Sequence, residues 1–180
     1  MKVALAYVSS ALATVGLLAR RQLRLPTRNT GRTLAFADGT VSRVYRETVR
    51  TGVTTPLPTV LIVQFQLRLL GHSRLMHAMF RAESILNTPL FVGFPGFRSK
   101  LWATDELTGI YRGVYEWDGA KRAASYAAAI TSLPRVLSLP GSVRSHLVPG
   151  VRREDYLRDP SIVGDIEAVP SQSSVDRTLI

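Results

Sequence analysis

The sequence predicts an α+β fold: a four-stranded antiparallel sheet in βαββαβ order with two helices on one face, preceded by a helix and a hairpin. Three observations predict it. Residues 59–117 read as a strand, a helix and two strands joined by a tight turn. Within those strands Arg, Trp and Tyr recur at alternating positions, the period of a pleated strand. An alanine-rich helical stretch and a further apolar segment follow and complete the unit.

The N-terminal segment stands apart. Val3 to Ala19 is apolar apart from Ser9, Ser10, Thr14 and Gly16, and it is followed by Arg20, Arg21 and Arg24. Its length sits at the lower limit of about 17 residues for a spanning helix. Lys2 and Ala11-Leu12-Ala13 imitate the ends of a cleaved signal. The heavier positive charge after the run, however, favours a cytoplasmic domain. Ser10, Thr14, Arg21 and Arg24 fall on one helical stripe, as in a helix lying in a membrane interface; a helix packed on the domain is the competing reading. The expected location is therefore the cytoplasm, at the inner face of the membrane through residues 1–24.

Pro26 to Gly31 is a linker rich in turn formers. Thr33 to Phe36 and Thr40 to Val49 flank Ala37-Asp38-Gly39 and predict a hairpin, because Gly accepts positive φ after Asp. The main unit opens after Pro56 and Pro58. Thr59 to Leu69 is a strand with Gln64 and Gln66 on the face of Val60 and Ile62. Leu75, Met76, Met79, Phe80 and Leu86 give His72 to Asn87 helical spacing. Thr88 to Gly96 reads as an irregular apolar loop. Phe97 to Thr104 and Gly109 to Trp117 are strands, joined by residues 105–108. Asp118 is the expected N-cap of a helix over 120–133, and Ser142 to Val148 is the last strand. After Gly150 the chain turns polar, and residues 170–174 read as a disordered or loosely docked tail. The expected divisions are an apolar helix over 1–25, a linker and hairpin over 26–57, the βαββαβ domain over 58–150 and a polar tail over 151–180.

Composition narrows the chemistry. Without cysteine there are no disulfides, thiolate metal sites or cysteine nucleophiles. The net charge of +10 suits an anionic partner, but the cations are dispersed and no aromatic-glycine RNA signature is present. Anionic lipid is therefore expected as a partner, and nucleic acid is not. His72 and His77 are five apart, about 140° around a helix, which is poor geometry for one metal. There is no H-E-x-x-H, no paired-carboxylate motif and no nucleophile elbow, and Gly93-Phe94-Pro95-Gly96 holds a proline where a phosphate loop needs a backbone donor. No cofactor and no metal are expected.

Three segments carry a resemblance over about residues 58–148: Gln64-Phe65; Gly96-Phe97-Arg98-Ser99-Lys100-Leu101-Trp102; and Gly113-Val114-Tyr115-Glu116-Trp117-Asp118 leading into Ala123-Ala124-Ser125-Tyr126. On these the chain resembles the ferredoxin-like dimeric α/β-barrel superfamily, in particular its YdhR-like group of monooxygenase-type proteins. The resemblance implies a homodimer in which two sheets pair across a twofold axis and leave a cavity for a small apolar molecule. The expected logic is that two helices cover one face of the sheet, and aromatics on the other face need a partner.

The candidate site follows from those faces. His146, beside Arg144 on the last strand, is the candidate general base. Arg98 or Arg112 is the candidate anion stabiliser. Trp102, Tyr111, Tyr115 and Trp117 are the candidate pocket walls, with Lys100 on the face of Arg98 and Trp102, and with Gln64 and His77 as further substrate contacts. The function this implies is cofactor-independent monooxygenation of an aromatic or polyketide-like substrate. The rival reading is a non-catalytic, membrane-associated ligand-binding or scaffold protein on the same fold, and a haem-handling member of the superfamily lacks a placed axial ligand.

Overall fold

A computed structural model describes residues 2–36, 39–66, 88–105, 107–130 and 141–163. The helix expected over 72–87, the Ala37-Asp38 half of the hairpin turn and residues 170–174 lie outside the described residues. In chain order the elements are α1 (Lys2–Ala19), β1 (Leu23–Arg24), β2 (Thr33–Ala35), β3 (Val41–Arg50), β4 (Pro58–Gln66), α2 (Pro89–Val92), β5 (Phe97–Asp105), β6 (Ile110–Asp118), α3 (Ala120–Ile130), β7 (Arg144–Pro149) and α4 (Arg153–Arg158). A 3-10 turn follows at Pro160–Val163.

The described strands make one antiparallel sheet in the order β1-β3-β5-β6-β4-β7, with β2 paired to β3. The last four of this order, β5-β6-β4-β7, have the ferredoxin-like arrangement, in which the first strand of the unit lies between the third and the fourth. This is the expected α+β fold. The hairpin extends the sheet: β3 pairs with β5 and covers what would be an open edge. In the β5–β6 turn, the Asp105 carboxylate accepts hydrogen bonds from the Leu107 amide and the Thr108 hydroxyl. Burial alone would raise its pKa, but these bonds outweigh it and hold the carboxyl below its ordinary value.

Two bulges set which side chains point where. Between Val44 and Arg46 the register to β5 shifts by one residue. Strict alternation would put Val44 and Glu47 on opposite faces; the extra residue sends both to the same one, and Tyr45 and Arg46 to the other. A second shift between Phe97 and Ser99 displaces Arg98.

The sheet has two unlike faces, and each has its own core. The aromatic face carries Leu61, Val63, Trp102, Tyr115 and Trp117, covered by Leu17 of α1, Phe91 and Val92 of α2, Phe94, and Ala123, Tyr126 and Ala127 of α3. The opposite face carries Val44, Val60, Ile62, Leu101, Ala103 and Val114, covered by Leu34, Phe36 and the α4 residues Tyr156 and Leu157. Two expectations are corrected here. The large aromatics were placed on the face left bare by the helices, but they lie under the helices, where Phe91 of α2 meets Trp102 and Tyr115 edge-on and Tyr126 of α3 lies tilted against Tyr115 and Trp117. The chain after Gly150 was read as a polar tail, but residues 153–158 form a helix with Arg153, Tyr156 and Leu157 buried on the sheet. That helix and the hairpin cover apolar surface that was assigned to a second protomer.

Smaller differences have local causes. The 88–96 loop contains one helical turn, started by Pro89 at a position where its missing N–H costs nothing. Asp118 turns its carboxylate to Arg98, Arg122 and the Leu57 amide. α1 packs on the α2 turn through a close approach: Ser10 Oγ donates to the Pro89 carbonyl at 2.7 Å, and a Cβ built on Gly93 would land against the Ser10 carbonyl. Gly93→Ala is expected to push α1 off its seat and cost ~1–3 kcal/mol, which thermal denaturation would register as a lower Tm. An unchanged Tm would mean α1 does not sit there.

Candidate functional site: a lysine in an aromatic cage

β5 runs through the middle of the extended sheet and presents Lys100 and Trp102 to the aromatic face. Opposite Lys100 across the two ladders stand Thr48 on β3 and Tyr115 on β6. Lys100 Nζ lies 3.0 Å from the centroid of the Trp102 ring, 4.4 Å from that of Phe91 and 4.7 Å from that of Tyr115. The Arg46 guanidinium meets the same indole at 4.1 Å. Trp102 is fixed by its Nε1, which donates to Thr48 Oγ1 at 3.3 Å, and by the edge of Phe91 at 5.3 Å. Tyr115 and Tyr126 share a hydrogen bond between their hydroxyls at 3.1 Å. Gly113, opposite Trp102, leaves the space that the Tyr115 ring occupies: a Cβ there would stand 2.5 Å from a ring carbon.

The electrostatics of this cage are unusual. Lys100 is only 5% exposed, and among the described residues no carboxylate forms an ion pair with its amine. Burial, then repulsion from Arg46, holds its pKa well below the ordinary lysine value. Arg46 is pushed down too, first by burial, but a guanidinium remains charged in any protein. Burial raises both the Tyr115 and Tyr126 phenols, and it lifts the nearby Tyr7 to about 12. The cage therefore offers an amine that holds its proton less tightly than an ordinary lysine, a fixed cation, two phenols that hold theirs more tightly, and an indole face. In its deprotonated form such an amine can take a proton from an acidified carbon or hydroxyl, and the neighbouring cation can hold the anion that results.

The expected site residues do not converge on one pocket. Directly opposed residues in an antiparallel ladder share a face. His146 opposes Ile62, and Gln64 opposes both Arg112 and Arg144, so all four polar residues belong to the face opposite Trp102, Tyr111 and Tyr115. The sheet itself separates the expected base from the expected walls. Arg112 is buried and committed: it donates to Gln64 Oε1 at 3.3 Å, to Ser42 Oγ at 2.7 Å and to Thr40, and it lies 4.3 Å over Phe36. It ties the hairpin to the sheet. Arg98, displaced by the bulge, pairs with Asp118 at 3.3 Å near the sheet edge. Trp117 is wholly buried against Phe97 and Tyr126, and Tyr111 stacks on Phe65 at 5.9 Å. His77 lies outside the described residues.

Lys100 was visible in the sequence as a neighbour of Trp102, but a charged residue in an apolar strand was read as part of a rim. Arg46 was hidden by the bulge that turns it toward Trp102. An open groove of about 630 Å³, lined in part by Thr30, Ser42, Arg43, Tyr45 and Thr104, runs along the hairpin side of the sheet. Tyr45 belongs to both places: it lines the groove, and its ring stands 6.4 Å from Trp102. Among the described residues no cluster of three or more His, Asp or Glu is arranged to hold a metal.

Searches for related proteins give few matches. No protein family and no curated protein matches the chain. Among solved structures, a monooxygenase-like protein from Listeria innocua is similar at 16% identity over 64% of this chain and 68% of that one, with a TM-score of 0.40. An uncharacterized ferredoxin-fold protein from Listeria monocytogenes, related to antibiotic biosynthesis monooxygenases, is similar at 13% identity over the same shares, with a TM-score of 0.38. Likeness at this level assigns no activity to the chain, whose ferredoxin-like fold rests on its own strand order.

Proposed function

We propose that this chain is an enzyme of the cofactor-independent monooxygenase type, in the manner of the YdhR-like group, with Lys100 as its base. The observation that carries the reading is a buried amine, free of any carboxylate among the described residues, seated on Trp102 beside the Arg46 cation. An apolar aromatic or polyketide-like substrate with an acidified methylene would lie against Trp102 and Tyr115, entering past Tyr45 from the groove. Lys100 Nζ takes a proton from the methylene carbon, and Arg46 stabilises the carbanion. The carbanion gives one electron to dioxygen, and the radical pair combines to a peroxide anion, which takes up the proton held by Lys100 and becomes a hydroperoxide. Loss of water then leaves a carbonyl. The substrate supplies all four electrons, one oxygen atom enters the product and the other leaves as water, so no outside reductant is needed. Trp102 and Tyr115 exclude bulk water from the carbanion.

Oxygen uptake with hydroxyanthrones and cyclic 1,3-diketones tests this. Lys100→Met is expected to lower turnover by a factor of roughly 100–10,000, the usual worth of a positioned base. His146→Ala, on the other face, is expected to leave turnover unchanged. A Lys100→Met protein as active as the parent would sink the reading. Pairing of two chains belongs to the same proposal. The surface available for it is the β7 side of the second face, where Gln64 and His146 are half-buried and Arg144 is exposed.

A further inference from the structure

α1 is inside out. A helix resting on a globular domain normally buries its apolar stripe and exposes its polar one. Here the buried stripe contains Ser10 and Thr14 alongside Tyr7 and Leu17. Ser10 Oγ donates to the Pro89 carbonyl, Thr14 Oγ1 donates to the Ser10 carbonyl at 2.8 Å, and Tyr7 meets the edge of Phe94 at 5.7 Å. The outward stripe is Val8, Leu12, Val15 and Leu18, exposed by 59%, 69%, 65% and 55%. Spaced by four, three and three, they occupy about 120° of the helix circumference.

The charges continue this stripe. Arg20, Arg21 and Arg24 follow the helix and are exposed, as is Leu25. Arg21 adopts a positive φ of 54°, and the Arg21 and Gln22 amides donate to the Leu18 and Leu17 carbonyls, so α1 stops there with the cations following its C-terminal end. The first acidic residue in the sequence is Asp38, so no negative charge from residues 1–37 offsets them. Among the described residues no helix is long and apolar enough to cross a membrane. The buried stripe is also fixed to the α2 turn, so α1 can offer only its outer side.

We infer that α1 docks this protein on an anionic lipid surface, lying in the plane of the interface with Val8, Leu12, Val15 and Leu18 among the acyl chains and Arg20, Arg21 and Arg24 at the headgroups. Apolar side chains at the headgroup boundary and cations facing anionic lipid are the two terms that bind interfacial helices; the first lies along the outer stripe of α1 and the second follows its C-terminal end. The inference is independent of the proposed chemistry, because it needs no substrate.

The test is flotation of the full chain with phosphatidylcholine vesicles, with and without phosphatidylglycerol. The parent protein is expected to float with the anionic vesicles and much less with the neutral ones. Leu12→Glu is expected to lower partitioning at least about tenfold, since one buried leucine is worth that much. Arg20→Gln with Arg21→Gln is expected to lower it by a factor of about 20–30 and to erase the preference for anionic lipid. These positions are exposed, so circular dichroism should show both variants folded; Val8→Gln provides a milder second probe of the stripe. Three outcomes overturn the inference: a parent that stays unbound, a Leu12→Glu variant that floats like the parent, or a lipid-free dimer that Leu12→Glu dissolves without any vesicle binding. The last would make the stripe a contact between two copies of the chain.

Discussion

Glu47→Ala is expected to destabilise the fold by ~3–5 kcal/mol, because it strands a buried guanidinium. Arg153 Nη2 stands 2.7 Å from Glu47 Oε1, with both side chains at 5% exposure or less. Asn29 Nδ2 donates to the other carboxylate oxygen at 2.9 Å, and the Arg153 amide donates to Glu116 Oε2 at 2.9 Å. One carboxylate on β3 therefore fastens both the linker and α4 to the sheet. Arg153 has little in reserve: its Nε and Nη1 are buried and without hydrogen-bond partners. With Glu47 gone, α4 would lift, and Tyr156 and Leu157 would uncover Leu101 and Val114. Urea denaturation measures the loss. Replacing both partners with methionine is expected to recover most of it, since the cost of breaking such a pair exceeds its net worth. A single-variant loss below about 1 kcal/mol would mean that α4 is not docked on this face in solution.

Lys100→Met is expected to act in the opposite direction, stabilising the protein by ~1–3 kcal/mol at neutral pH through removal of a buried amine that no carboxylate among the described residues pairs. The pH dependence carries the signature. In the unfolded chain this lysine titrates at its ordinary value of 10.5, and in the folded chain, through burial and then Arg46, well below it. Between those two points the unfolded state holds a proton that the folded state does not, so stability rises with pH across the window and levels off above about 10.5. As pH falls through the folded value, the lysine's contribution is lost. Urea titrations across the neutral and alkaline range should show the parent gaining stability with pH and Lys100→Met lacking that component. Equal slopes in the two proteins would contradict the burial of Lys100. Paired with the loss of turnover expected above, this is the trade of stability for function that a reactive buried group entails.

Strand order was legible because each element carries its own period and its own stop. The β5–β6 turn is written in Asp105, Thr108 and Gly109, whose φ is 69°. The break before α3 is written in Asp118-Gly119, and β4 in the apolar run Val60-Leu61-Ile62-Val63 that follows Pro56 and Pro58. The facing of the sheet was not legible. Alternation tells which residues share a face, but not which face the helices cover, and this chain has large aromatics in α3 and in the 88–97 segment as well as in the strands. Tyr126, Phe91 and Phe94 decide the matter by closing over Trp102, Tyr115 and Trp117. The two bulges are silent too, since neither contains glycine, and they move Arg46, Glu47 and Arg98 to places that strict alternation forbids. The docking of residues 153–158 was masked by composition. Four charged residues stand before Tyr156, and the burial of Arg153 becomes intelligible only once Glu47 is seen waiting for it. His146 was assigned to the right strand but to the wrong side of it, since its partner Ile62 faces away from Trp102.

The central claim is that burial against Trp102 loosens the proton of Lys100. Its most direct test is the pH titration of the Lys100 Cε resonance in protein labelled with carbon-13 lysine, assigned by its disappearance in Lys100→Arg. The account predicts a midpoint well below the ordinary 10.5, displaced upward when Arg46 is replaced by glutamine. A resonance that titrates with the surface lysines, indifferent to Arg46, would contradict it.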